Sequence, residues 1–421
     1  MEKVKGLFKT ILAGQLPQLI VIFAAPALMY FTKAITVTFI LFLVSLLLLY
    51  LSKLKNSYKL VIAVVDLLAV MPLTGLANSY AMDVITQIGI YAVLAIGLNV
   101  VVGFAGLLDL GYVGFYAAGA YVYAFFATTQ ANNIIPESVM KFPVSGNWFW
   151  LFLPVCMLVA AGVGILLGLP VLRLKGDYLA IVTLGFAEII RIILNNADKP
   201  INLTNGPKGL TPIQPPSIFG IQLNQSIHFY FIVLAILMLV IIATKRIYNS
   251  RIGRAWTAIR EDELAARAMG IPLVKMKLMA FATGAGFAGM MGAVFAAKQT
   301  FIDPSSFGFM ESIGILAMVI MGGMGNIAGV IIGALAVVVL QLQLLKDLSS
   351  YLRDLTVAGV LNIPASLDPA KYERLVFGLI LILMCIFRPK GFLPAKRSLA
   401  FVKKLLGRSG NMKDNTLNTT E

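Results

Sequence analysis

Long apolar runs fill this chain, separated by short stretches rich in Gly, Pro, Asn, Lys and Arg. Runs of about 17 to 25 apolar residues are long enough to cross a bilayer's hydrocarbon core as helices. Candidates are Leu16 to Phe31, Ile35 to Leu51, Leu60 to Leu76, Val84 to Gly103, Val113 to Thr129, Phe149 to Leu172, Leu179 to Leu194, Phe229 to Thr244, Leu278 to Ala297 and Leu375 to Phe387. One further run, Ile313 to Leu345, exceeds an ordinary crossing and is interrupted by Gly322-Gly323-Met324-Gly325-Asn326. It reads as the two arms of a hairpin, either full crossings or a re-entrant loop. The pattern predicts an all-α polytopic integral membrane protein with about ten transmembrane helices plus that hairpin.

Composition agrees. Of 421 residues, 59% are hydrophobic and 13% charged, against about a quarter charged in soluble domains. The net charge of +15 is informative through its location, because loops on the cytoplasmic side retain Lys and Arg. Lys3, Lys5 and Lys9 place the N-terminus inside, and Lys53, Lys55, Lys59, Arg173 and Lys175 mark later returns. The segments Lys245 to Lys277 and Arg388 to Arg408 are strongly basic and belong inside too, so both termini are cytoplasmic. The loops Ala131 to Asn147, Ala197 to His228, Lys298 to Ser312 and Lys346 to Glu373 have near-balanced charge and fall outside. Residues 1–80 form an N-terminal extension with about three crossings, 81–394 a core with a cytoplasmic loop at 245–277, and 395–421 a basic tail.

The chemistry of an enzyme does not stand out. His228 is the single histidine, and Cys156 and Cys385 both fall inside apolar runs, where they read as small buried hydrophobes. Neither a zinc set nor a Ser-His-Asp arrangement is available. No G-x-x-x-x-G-K-[ST] phosphate loop occurs. If ATP drives this chain, a partner binds it; no cofactor is expected here. The basic charge is accounted for by the membrane, and nucleic acid is not an expected partner.

Two regions carry candidate function. The first is cytoplasmic: from Arg254 to Met269 there is no Pro or Gly and Ala, Leu, Glu and Arg dominate, so the stretch predicts one helix ended by Gly270 and Pro272. Ala265, Ala266 and Met269 offer another surface close approach to its backbone. The helix either docks on a partner or lies on its own protein's loops and the lipid headgroups.

The second region is the membrane interior, where polar residues are costly and hence functional candidates. Asp109 lies in a Gly-rich interruption and reads as a cytoplasmic turn or a path residue. Glu188 and Arg191, three apart on one helix, read as a neutralised structural pair or a polar path lining. Asn99, Thr183 and Gln87 are further candidates for the path, whereas Asp66 reads as structural. Small-residue strings such as Gly284 to Ala293 signal close helix packing.

The blocks Gly97 to Tyr121, Arg173 to Asn196, Leu203 to Leu210, Ser250 to Ile271 and Met318 to Ala334 resemble, in order, the LivM-type permeases of branched-chain amino-acid ABC importers. Glu263-x-Ala265-Ala266-x-x-x-Gly270 is similar to the coupling-helix motif of such permeases. The resemblance implies an inner-membrane permease for leucine, isoleucine or valine. Its implied partners are a second, LivH-like permease, two cytoplasmic ATPase subunits that bind the ATP, and a periplasmic amino-acid-binding protein. It also implies a coupling role for Glu263, Ala265, Ala266, Met269 and Gly270. A urea or short-amide permease of the same family and an ATP-independent secondary transporter are the competing readings.

Overall fold

The computed structural model describes residues 67–68, 71–72, 79–136, 142–171, 176–218, 220–357, 372–388 and 391–393. The first two expected crossings, most of the third, Asp66 and the basic tail lie outside the described residues.

Helix dominates because apolar segments must satisfy their backbone groups internally when water is absent. Helix α1 (Ser79–Asn99) runs on through a π turn, Val100–Phe104. It is followed by α2 (Tyr112–Phe126), α3 (Phe149–Val171) and α4 (Asp177–Asn196). A minimal antiparallel pair, β1 (Ser217–Ile218) and β2 (Ile221–Gln222), precedes α5 (Ser226–Asn249). Two short helices, α6 (Arg251–Glu261) and α7 (Glu263–Ala268), lead into α8 (Leu273–Gln299). Then come α9 (Phe309–Gly322), α10 (Ile327–Val339), which continues through a second π turn into α11 (Leu345–Val357), and α12 (Glu373–Phe387).

Six helical stretches among the described residues are long and apolar enough to span a membrane, and three apolar helices are shorter. Burial sorts them into layers. Within Ser79–Phe104, 83% of the most apolar 18 residues are buried, against 22% within Tyr178–Asn196, so α1 is central and α4 peripheral. Helix α8 joins α1 at the centre, packing on α3, α2 and α1. Its small residues make this possible. A Cβ on Gly119 of α2 would lie 2.0 Å from the Gly289 carbonyl, and one on Gly289 would meet Ala160 of α3 at 2.2 Å. Backbones in contact at this range gain dispersion energy that lipid cannot match.

Two helices stop short. With 15 and 14 residues, α2 and α9 reach roughly 21–23 Å at 1.5 Å per residue, less than the ~30 Å of a hydrocarbon core. Their first turns meet in the interior, where the Val113 amide donates to Ser312 Oγ at 3.1 Å. Tyr112 donates its hydroxyl to the Gly284 carbonyl, near the middle of α8, at 2.9 Å. Lys298 to Ser312 is therefore not wholly an outer loop. Phe307 draws it inward by packing against Tyr116, Tyr121 and Phe295, and Glu311 and Ser312 form the first turn of α9.

The long run Ile313 to Leu345 resolves into an unequal hairpin: the short α9 and a continuous stretch, Ile327–Arg353, long enough to cross. Gly323 and Gly325 turn it with φ of 111° and 84°, a backbone that side-chain-bearing residues avoid. Asn326 then caps α10 by accepting from the Ala328 amide at 3.1 Å. The backbone of Phe392 and Leu393, beyond α12, bonds to Met321 and Gly322 at the same turn. The turn thus shares one end of the bundle with the basic α6 and α7. At the opposite end, Trp150 donates to the Ser217 carbonyl and Ser217 to Asn147 Oδ1, tying the loops together.

Candidate functional site

The stretch expected to be one helix is two. Asp262 adopts an extended backbone (φ −156°, ψ 112°), and its carboxylate accepts from the amides of Leu264 and Ala265 at 2.8 and 3.0 Å. An Asp that satisfies two orphan amides is worth more as a cap than inside a helix, so the chain breaks there and α7 starts anew.

This break aims α7 outward. Leu264 and Met269 are 70% and 83% exposed, and Ala265, Ala268 and Gly270 are exposed beside them. Ala266 is buried, packed with Ile259 and Leu273; it seats the helix and does not present a surface. Glu263 is engaged with Lys277 of α8, Oε1 to Nζ at 2.8 Å, and the Lys277 side chain is almost wholly buried. Leu264 and Ala268 had not been singled out in the sequence. Their i, i+4 spacing with the break at Asp262 is the signal that finds them.

Three further bonds root this end in the bundle. Trp256 of α6 donates to the Met276 carbonyl at 2.7 Å. Arg260 donates from Nη1 to the Gly103 carbonyl in the π turn of α1. Gly106, with φ of 72°, lets the chain pass so close that a Cβ would sit 2.6 Å from Arg260 Cγ. From Gly103 the connection continues inward, because Asn99 accepts from the Gly325 amide at 2.8 Å. Asn99 is fully buried and staples α1 to the α9–α10 turn.

Asp109 lies between α1 and α2 and is buried. Its Oδ1 accepts from the Gly111 amide at 2.8 Å. Thr183 of α4 accepts from the Leu110 amide at 3.1 Å and donates to the Ala180 carbonyl at 2.9 Å. Asp109 and Thr183 share a cavity of about 10 Å³ with Gly111, Phe115 and Phe281, room for about one water. Asp109 therefore holds a buried turn, which the structure places beside Thr183.

Glu188 and Arg191 pair on α4, Nε to Oε1 at 2.9 Å, with side chains 41% and 34% exposed. They sit on the outer, apolar face of the bundle among Ile189, Ile192 and Ile193, all exposed. With Gln87 apart, the other five path candidates lie in three separate places: Asn99 at the α9–α10 turn, Asp109 with Thr183, and Glu188 with Arg191.

A fourth place is assembled only by the fold. Gln87 and Tyr91 of α1, Glu311 of α9 and Gln341 of the second π turn line one partly open cavity of about 380 Å³, the rest of whose lining is apolar. Tyr91 donates its hydroxyl to Glu311 Oε2 at 2.9 Å. Of these, the sequence marks Gln87 alone as a path candidate. Glu311 was hidden because it stands at the edge of an apolar run, where it reads as loop. No group of three or more His, Cys, Asp or Glu side chains that could hold a metal ion occurs among the described residues.

Comparison with known proteins follows the same division. Residues 80–385 match the family described as branched-chain amino acid transport system / permease component. The high-affinity branched-chain amino acid transport system permease protein LivM of Salmonella typhimurium is 39% identical over 340 residues, covering 75% of this chain and 71% of that protein. Its Escherichia coli K12 counterpart is 39% identical over 338 residues, covering 75% and 70%. LivH of Escherichia coli K12 is 27% identical over 269 residues, covering 58% and 78%. No solved structure matches. The family match spans α1 to α12 almost end to end, with the α6–α7 pair and the central α8 inside it: the chain belongs to the branched-chain amino acid transport permease family.

Proposed function

We propose that this chain is the membrane permease subunit of an ATP-driven importer of leucine, isoleucine and valine, seated in the bacterial inner membrane with its basic end in the cytoplasm. A second permease completes the path, two ATPase subunits bind ATP and dock on α7, and a periplasmic binding protein delivers cargo to the opposite end. The observation that carries this reading is α7 itself, whose Leu264, Ala265, Ala268 and Met269 face away from the bundle while its base is tied into it. An exposed apolar patch of this kind at a basic end suits a partner protein.

The ties define how motion passes inward. A displacement of α7 acts on α8 through Glu263–Lys277 and, with α6, on α1 through Arg260 and the Gly103 carbonyl. The Asn99–Gly325 bond then carries it to the α9–α10 turn. A π turn, Val100–Phe104, interrupts the regular ladder of α1 at that point, a feature frequent at functional sites. ATP and cargo must each prefer one arrangement of these helices for transport to be driven.

Ala265→Arg tests the reading. The variant is expected to insert into the membrane normally, to lose the ATPase subunits on gentle purification, and to abolish ATP-dependent leucine uptake. Normal uptake by the variant would sink the docking assignment. Uptake in wild-type cells that urea suppresses and leucine does not would move the cargo to the short amides.

A further inference from the structure

At the basic end of the bundle, beside α7, an open groove of about 660 Å³ lies between α3 and α8. Its lining extends from the α7–α8 turn to Ala282, which lies roughly 14 Å along α8 from Leu273 at 1.5 Å per residue. That is about the depth of one leaflet of a ~30 Å hydrocarbon core.

The lining changes with depth. Ile165 of α3 and Leu278, Met279 and Ala282 of α8 make the deep part apolar, whereas Arg267 of α7 and Lys275 in the first turn of α8 stand at the mouth. The adjoining face of α3 is open and apolar too, with Leu166 and Leu169 exposed. Among the described residues, no Asp or Glu lines the groove, and neither Arg267 nor Lys275 forms an ion pair. Their basic neighbours are engaged within the chain: Lys277 with Glu263, and Arg260 with Glu261 and the Gly103 carbonyl. The tendency of inner loops to be basic accounts for the two charges, but not for an apolar groove opening beneath them.

We infer that this groove binds an anionic phospholipid of the leaflet bordering the basic end, its phosphate held by Arg267 and Lys275 and an acyl chain lying against Ile165 and Ala282. Two unpaired cations above an apolar slot one leaflet deep are complementary to that molecule in both charge and shape. Bound there, the phosphate bridges α7 to α8 across the turn at Gly270, whose φ is 79°. The effect of that bridge on coupling rests on the permease reading; the binding itself does not.

The test uses the tagged full chain, purified from native membranes with the subunits that accompany it and placed in phosphatidylcholine nanodiscs. Phosphatidylglycerol or phosphatidylcholine carrying the same photoactivatable acyl chain is added at a low, non-saturating fraction, and the labelled peptides are identified. Phosphatidylglycerol is expected to label the peptides holding Ile165 and Leu278 to Ala282, and phosphatidylcholine to label them weakly. In Arg267→Gln/Lys275→Gln, labelling by phosphatidylglycerol should fall about tenfold or more, the worth of two basic side chains at a membrane surface. Lys275→Arg, which keeps the charge, should retain it. Ala282→Phe, which fills the slot and keeps both charges, should lower labelling several-fold, and serves if the double variant fails to assemble. Equal labelling by the two lipids, unchanged in the double variant, would mean a slot filled by bulk lipid and overturns the inference. Labelling that emerges only after the accompanying subunits are stripped away assigns the groove to a partner protein and overturns it as well. The readout involves neither leucine nor ATP, so its failure is distinct from failure of the permease reading.

Discussion

Asp109 and Glu311 are both acids next to the start of a shortened helix, yet they occupy opposite kinds of space. Asp109 is packed: its carboxylate caps the turn before α2, Thr183 closes over it, and the cavity beside it is about 10 Å³. Glu311 stands in the first turn of α9, half-buried, at the wall of a cavity of about 380 Å³. An intramembrane acid is costly in either place. What the cost secures differs: at Asp109 a fixed entry for α2, at Glu311 a polar wall facing room for a molecule. Charge in an apolar run locates candidates, and the volume beside it separates joint from site.

The strongest test of that contrast is a single methyl group added at each place. A Cβ on Gly111 would lie 2.1 Å from the Thr183 carbonyl oxygen and 2.8 Å from its carbon, both backbone atoms. Gly111→Ala is expected to destabilise the purified protein by about 1–3 kcal/mol, the usual cost of overpacking against atoms that cannot yield. A Cβ on Gly314 would meet nothing within 4 Å. Gly314→Ala is expected to keep wild-type thermal stability, its helix propensity improved by up to about 1 kcal/mol. Thermal unfolding of both variants in the same detergent checks the pair. Equal losses would mean that the cavity by α9 is as tightly closed as the cleft by α2.

The fold was readable from the chain to the extent that its spans are apolar and uninterrupted. The sequence pattern anticipated the stretches Ser79–Phe104, Gly146–Pro170, Tyr178–Asn196, Ser226–Asn249 and Leu273–Gln299 to within a few residues at most ends. It missed breaks made by single side chains. Asp262 splits α6 from α7 through two capping bonds, a local event that helix propensity averages away. The inward course of residues 300–308 depends on Phe307 meeting aromatic partners far away in sequence. For the same reason the cavity was illegible: Gln87, Glu311 and Gln341 lie on separate elements, and only the meeting of α1 with α9 and the second π turn makes them neighbours. Asp109 and Thr183 each stand out in the sequence because each interrupts an otherwise apolar neighbourhood, but their meeting depends on α4 packing against α2. The exposed face of α7 was half legible, since small residues mark it, yet nothing in their order tells Ala265, which is exposed, from Ala266, which is buried.

A smaller effect is expected from removing charge at the joint. Asp109→Asn keeps an oxygen that accepts from the Gly111 amide, so the turn persists and stability falls by no more than about 1 kcal/mol. Thr183→Val removes the acceptor of the half-buried Leu110 amide and is expected to cost about 1 kcal/mol. Neither variant is expected to change ATP-dependent leucine uptake. Loss of uptake in a stable Asp109→Asn variant would make Asp109 a path residue and not a joint.

The smallest effect is expected at the third acid, Glu188, which extends the comparison to the bundle's outer face. It pairs with Arg191 along α4, and both side chains are partly exposed. Replacing both charges by apolar residues of similar size removes an attraction and two desolvation costs together, so the net change is small. Glu188→Leu/Arg191→Leu is expected to unfold within about 1 kcal/mol of wild type, after allowance for the partial exposure that already weakens the pair. Arg191→Leu alone leaves the carboxylate unpaired on an apolar face and is expected to be the less stable variant. If the double variant is as stable as wild type yet takes up leucine normally, the pair is a neutralised structural feature. If uptake is lost while stability holds, this face of α4 meets the partner permease or the path between them, and its exposed isoleucines are the surface to map next.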